Sequence, residues 1–106
     1  MSSQQERQIE FARRFRMIRE RRGFSQEQLS FAVKLDRTYV SAIDRGERNL
    51  SLANIWKLSD ALHVNPSIFF VDEQEFNEFI AQLPAPCVKA GRKPKTYSAP
   101  YTKWGI

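Results

Sequence analysis

One pattern recurs five times between residues 24 and 76 and narrows the folds open to the chain: an apolar residue, a Ser, Asp or Asn, three further positions, and another apolar residue. It occurs as Phe24-Ser25 with Leu29, Leu35-Asp36 with Val40, Leu50-Ser51 with Ile55, Val64-Asn65 with Phe69, and Val71-Asp72 with Phe76. In each, the polar side chain can accept a backbone N–H orphaned at a helix start, while the apolar pair fixes the angle at which the chain enters. Gln28 after Ser25 and Glu75 after Asp72 are placed to complete two capping boxes. Pro66 falls in a first helical turn, where its missing N–H costs nothing. Ahead of these starts, Phe11, Phe15 and Ile18 at spacings of four and three predict a helix over residues 4–22, which Gly23 ends. No stretch alternates with period two for long enough to suggest a sheet. The chain is therefore expected to be all-α, with about six helices around a core of Phe15, Ile18, Leu29, Leu35, Val40, Ile43, Leu52, Ile55, Leu58, Leu62, Val64 and Phe69.

A length of 106 residues, 42% of them hydrophobic and 27% charged, suits one domain with a single core. No apolar run approaches the roughly 20 residues needed to cross a bilayer, and the opening MSSQQERQ lacks the apolar stretch of a signal peptide, so a cytoplasmic protein is expected. The one cysteine, Cys87, cannot form an internal disulfide, and the one histidine offers no zinc cluster. No metal or cofactor is expected. His63 reads instead as a helix C-terminal residue standing where a glycine is usual. An enzyme is not expected either, because the chain has no paired carboxylates in an apolar setting, no Cys–His arrangement and no phosphate loop.

The net charge of +5 is unevenly spread: residues 1–48 carry eleven Lys or Arg against seven acids, residues 49–83 one against five, and residues 84–106 five against none. A basic front and tail flanking an acidic back suggest that the front faces a polyanion and the back faces something else. Past Leu83 the texture changes to LPAPCVKAGRKPKTYSAPYTKWGI, with four prolines, no acid and no helical period. The expected division is therefore a folded unit over residues 1–83 and a basic, Pro-containing tail over residues 84–106.

Within the folded unit, SQEQLSFAVKLDRTYVSAIDRG (residues 25–46) reads as two short helices joined by a turn of about three residues. The second helix carries Arg37, Thr38, Tyr39, Ser41 and Ala42 on its outer side and Val40 and Ile43 on its inner side. That is the build of a helix-turn-helix, which lays one helix in the major groove of double-stranded DNA. Arg37 can offer two parallel donors to O6 and N7 of guanine, and Thr38 can bond through its hydroxyl or touch a thymine methyl. Tyr39 is long enough for a base or a phosphate, and Ser41 and Ala42 lie a turn further in.

The run from Ser25 to Leu62 resembles the Cro and phage-repressor class of helix-turn-helix regulators. Within it, DRTYVSAIDRGERNLSL is similar to the controller proteins of bacterial restriction–modification systems. The resemblance covers roughly residues 10–72. It implies a compact bundle of five helices like that of the lambda repressor, here with an additional C-terminal helix. It also implies a transcription regulator of bacterial type in which Gln26 positions a phosphate, with Ser25 beside it and Arg45, Arg48 and Asn49 making backbone contacts. Arg19 and Asp44 become a partly buried ion pair by the same resemblance, tying the first helix to the third. Two positions depart from the family: Ser30 stands where a small residue is usual in the first motif helix, which is harmless, and Lys34 stands in the turn where Gly or Asn is common, so a left-handed backbone there would store roughly 1 kcal/mol of strain.

A single domain of this kind reads few base pairs, so a homodimer with recognition helices about 34 Å apart on a pseudo-palindromic operator is expected. The acidic segment is the natural pairing surface. Phe70, Phe76, Phe79, Ile80 and Leu83 exceed what a small core can absorb and Trp56 sits beside the core stripe of its helix, which favours pairing over the alternative that the last helix folds back on its own monomer. A reading of a different kind makes the chain an antitoxin-like module whose C-terminal region binds a protein partner, since one fold serves both uses.

Overall fold

In a computed structural model of the chain, the described residues are 3–83, and every regular element among them is helical. The elements are α1 (Gln4–Arg21), α2 (Gln26–Val33), α3 (Arg37–Asp44), α4 (Leu52–Leu62), a 3-10 helix (Pro66–Phe69) and α5 (Glu73–Gln82). The expected tail, with Cys87, lies outside the described residues. Among those described, no helix is long and apolar enough to cross a membrane.

All five expected caps form, with Ser25, Asp36, Ser51, Asn65 and Asp72 each accepting a backbone N–H from two or three residues ahead. Gln28 closes its capping box by accepting the Ser25 N–H at 2.9 Å. At Asp72 only the first half is made, from the Glu75 N–H at 2.8 Å. A sixth cap, Ser3 with Glu6 completing its box, starts α1. The Pro66 segment is a single 3-10 turn of four residues rather than an α-helix.

Helix α1 ends as its glycine demands. Gly23 has φ +86°, its N–H donates to Glu20 O and the Phe24 N–H donates back to Arg19 O, which satisfies carbonyls the helix would leave open and turns Phe24 into the core. His63 ends α4 in the left-handed region, φ +59°, with the same closure from Val64 to Ser59 O.

The core is formed by Phe15, Ile18, Phe24, Leu29, Val40, Ile43, Leu58, Leu62, Val64, Phe69 and Phe76, with Leu35 and Ile55 packed half-buried against it. Two expectations fail here. Leu52 is 71% exposed: it is the first residue of α4, on the same side as buried Ser59 but two turns earlier, where nothing covers it. Phe76, expected at a dimer interface, is fully buried in its own monomer. The guanidinium of Arg14 lies 4.8 Å from the centre of its ring. Phe79 and Ile80 are half-buried against the same core, and Leu83 is buried. The last helix thus folds back on its own chain.

Arginines of α1 fasten it there. Arg14, 2% exposed, donates to Val71 O at 2.6 Å and to Ile68 O at 3.4 Å and faces Glu10 and Glu73 at 3.1 and 3.4 Å. Arg13 pairs with Glu73 at 2.7 Å, and Arg21 donates to Leu83 O at 3.0 Å. Trp56 and Phe70 stay exposed, Phe70 in a ring cluster with Phe11 and Phe69.

Candidate nucleic-acid interface

The interface is built on one buried carboxylate. Asp44, at the end of α3, accepts from Arg19 Nη2 at 2.7 Å and from Arg19 Nε at 3.4 Å, and both side chains are buried. The same carboxylate accepts from Gln26 Nε2 at 2.8 Å, and Arg19 also donates to Phe24 O at 2.8 Å. One group therefore fixes the end of α1, the start of α2 and the end of α3 relative to each other. Removing one partner would strand the other charge, at a cost of about 3–5 kcal/mol.

Between α2 and α3 the turn runs through Lys34, which has φ +59° and ψ +41°: the left-handed backbone usual for Gly or Asn at this place is kept with a lysine, strain included. Leu35 then points back to the core, and Asp36 caps α3 by accepting the Thr38 N–H at 3.0 Å. Val40 and Ile43 form the buried side of α3, as their spacing predicts. Arg37 and Thr38 stand exposed at its N-terminal end. The Arg37 guanidinium has no hydrogen-bond or ion-pair partner among the described residues. Ala42, expected to face outward with them, is buried at 5% exposure.

Several of the remaining candidates are already engaged within the chain. Ser41 accepts from Arg45 Nη1 at 2.7 Å, and Arg45 Nη2 pairs with Glu47 at 3.0 Å. The hydrogen bond and charge of Glu47 raise the Arg45 pKa, and the reciprocal hydrogen bond holds the Glu47 carboxyl below its usual range. Ser25 caps α2 through its hydroxyl oxygen, leaving the hydroxyl proton free to donate. Gln26 spends one amide N–H on Asp44 and has a second. Arg48 and Asn49 are exposed in the loop after α3, with the Arg48 guanidinium 5.5 Å from the Tyr39 ring centre. Tyr39 is half-buried, and its hydroxyl accepts from Asn54 Nδ2 at 2.9 Å. Asn54 is the residue sequence reasoning passed over: an asparagine three places after a capping serine carries no motif, and only the packing of α4 beside α3 brings it to Tyr39.

A family profile described as helix-turn-helix matches residues 15–69, from the middle of α1 through the 3-10 helix. The chain belongs to the XRE-type helix-turn-helix family of DNA-binding transcription regulators. Among its relatives, control protein C.BamHI of Bacillus amyloliquefaciens is 51% identical over 57 residues, which are 53% of this chain and 70% of that protein. The crystal structure of the restriction–modification controller protein C.AhdI from Aeromonas hydrophila superposes with a TM-score of 0.58 at 46% identity, covering 59% of this chain and 96% of that one. The controller C.Esp1396I, solved as a tetramer in complex with its natural 35-base-pair operator, superposes with a TM-score of 0.57 at 29% identity over 72% of this chain and 96% of that one. The profile match of this helix-turn-helix protein runs from α1 to the 3-10 helix, whereas the superposition on C.Esp1396I, over 72% of the chain, extends beyond it.

Proposed function

We propose that the chain acts as a homodimer on a pseudo-palindromic operator, as the controller of a restriction–modification system. The observation that carries this reading is the pair Arg37 and Thr38, exposed and uncommitted at the leading end of a helix whose other side is locked by Val40, Ile43 and Asp44. A free guanidinium on a rigid support is what bidentate recognition of guanine requires. The operator complex of C.Esp1396I supports the same docking mode here. In this reading Arg37 and Thr38 contact bases and Ser41 lies within their reach. Ser25, Gln26, Arg45, Arg48 and Asn49 take phosphates, and the pairing surface runs through exposed Trp56 and Phe70. The five basic residues among positions 84–106, with no acid beside them, raise nonspecific affinity.

Binding-site selection from random duplexes tests the reading. The expected product is a two-fold-related pair of half-sites centred about one helical turn apart. Recovery of no enriched sequence, or of an unpaired half-site, would contradict it. Sedimentation at micromolar concentration tests the dimer separately, and a monomer both with and without operator would remove it.

A further inference from the structure

We infer that Asn54 is a positioning residue: through the Tyr39 hydroxyl it fixes a hydrogen-bond donor that, beside Arg48, takes a backbone phosphate of the operator. The inference rests on the operator-binding reading above and assigns Tyr39 a part in it.

The chain of contacts begins in the core. Tyr39 packs against the buried cluster, so its ring position is set by α3 and what lies beneath it. Its hydroxyl accepts from Asn54 Nδ2 at 2.9 Å. An amide N–H donates and cannot accept, so the single phenol proton remains to be donated elsewhere. Without Asn54 the hydroxyl could rotate and serve as donor or acceptor; with it, the group presents a proton. With one lone pair already engaged, the presented proton favours phosphate oxygens and base acceptors over the exocyclic amino groups of adenine and cytosine.

Arg48 narrows the choice further. Its guanidinium lies 5.5 Å from the Tyr39 ring centre, covering one ring face and placing a cation over the same side chain. A phenol donor next to a guanidinium matches an anion better than a neutral base edge, because hydrogen bonds to a charged acceptor are roughly twice as strong. Asn54 is itself held, since its backbone N–H donates to the Ser51 hydroxyl at 3.1 Å in the N-terminal turn of α4. The aim of a donor on α3 is therefore set by α4.

The test is a double-mutant cycle in the full chain, on the operator that selection yields. Tyr39→Phe removes the hydroxyl with little change of shape, and Asn54→Ala places a good helix former in α4, with thermal unfolding confirming that each variant folds. Each single variant is expected to lose about fivefold in affinity, the scale of one hydrogen bond. The double variant should lose no more than Tyr39→Phe alone, because Asn54 acts only through the hydroxyl. Asn54→Asp, which takes the phenol proton and adds a negative charge, should lose more than Asn54→Ala. The loss in Tyr39→Phe should be the same on every operator variant. Multiplying losses in the double variant, no loss in Asn54→Ala, or a changed base preference in Tyr39→Phe would each overturn the inference while the wild type still selects its operator. A wild type that selects no sequence would overturn the regulator reading and this inference together.

Discussion

Arg14 lies beneath the last helix, 2% exposed, with two main-chain oxygens and two carboxylates around it, whereas Arg37 stands on the outer surface of α3 with no partner among the described residues. Both belong to the basic front of the chain, and a count of charges treats them alike. Arg19 joins the first kind through Asp44 and Phe24 O, Arg21 through Leu83 O, and Arg22 by donating to Leu62 O at 3.0 Å. Five of the eleven basic residues before position 49, Arg13, Arg14, Arg19, Arg21 and Arg22, therefore act as fasteners within the fold. Direct contacts to a polyanion fall to the others, so net charge along a sequence overstates what is free to bind.

The contrast can be broken by exchanging the readouts. Arg14→Ala should cost about 3–5 kcal/mol of stability in urea unfolding, because it strips charge from buried carbonyls and uncovers Phe76. Arg37→Ala should stay within about 0.5 kcal/mol in the same experiment. A loss below 1 kcal/mol in Arg14→Ala would put it on the binding side instead. In operator titrations Arg37→Ala should lose about 1–3 kcal/mol and relax preference at one base pair. Arg48→Ala should weaken all sequences alike and flatten the dependence of log K on log salt by roughly one unit.

The smallest effect reports on the internal arginines from a neighbour. Burial, and then the charge of Arg22, lower the His63 pKa below its ordinary 6.5. The unfolded chain therefore takes up a proton first as the pH falls, so stability present above about pH 6.5 is lost as the pH drops through the lowered folded value. His63→Asn, which tolerates the left-handed backbone, should show a smaller drop in unfolding midpoint between pH 7.5 and pH 5. An equal drop in both proteins would remove His63 as the source.

Local chemistry was legible in the sequence wherever a residue acts on its own backbone. Ser25, Asp36, Ser51, Asn65 and Asp72 cap within three residues of themselves, and His63 takes the left-handed helix end where a glycine is usual, whereas the conformation of Lys34 was open until the turn was seen. Long-range packing was less so. Phe76 looked surplus because its cover is an arginine 62 residues earlier, and arginine reads as surface until its hydrogen bonds are known. Leu52 looked internal because periodicity fixes a side of a helix but not how far the core extends along it. At the interface, the spacing that separates Val40 and Ile43 from Arg37 and Thr38 was readable. The placing of Ala42 and the contact from Asn54 to Tyr39 depend on how closely α3 meets its neighbours.

The clasp on the final helix has a consequence for how such a chain can diverge. Arg14 and Arg21 hold the oxygens of Ile68, Val71 and Leu83, which are main-chain groups that every amino acid supplies, proline included. Substitution at those positions changes the packing but cannot delete the acceptors. Descendants are thus free to rewrite the outward surface of α5 while it stays docked, and a different short helix grafted after residue 71 would find two of the three anchoring oxygens already in place.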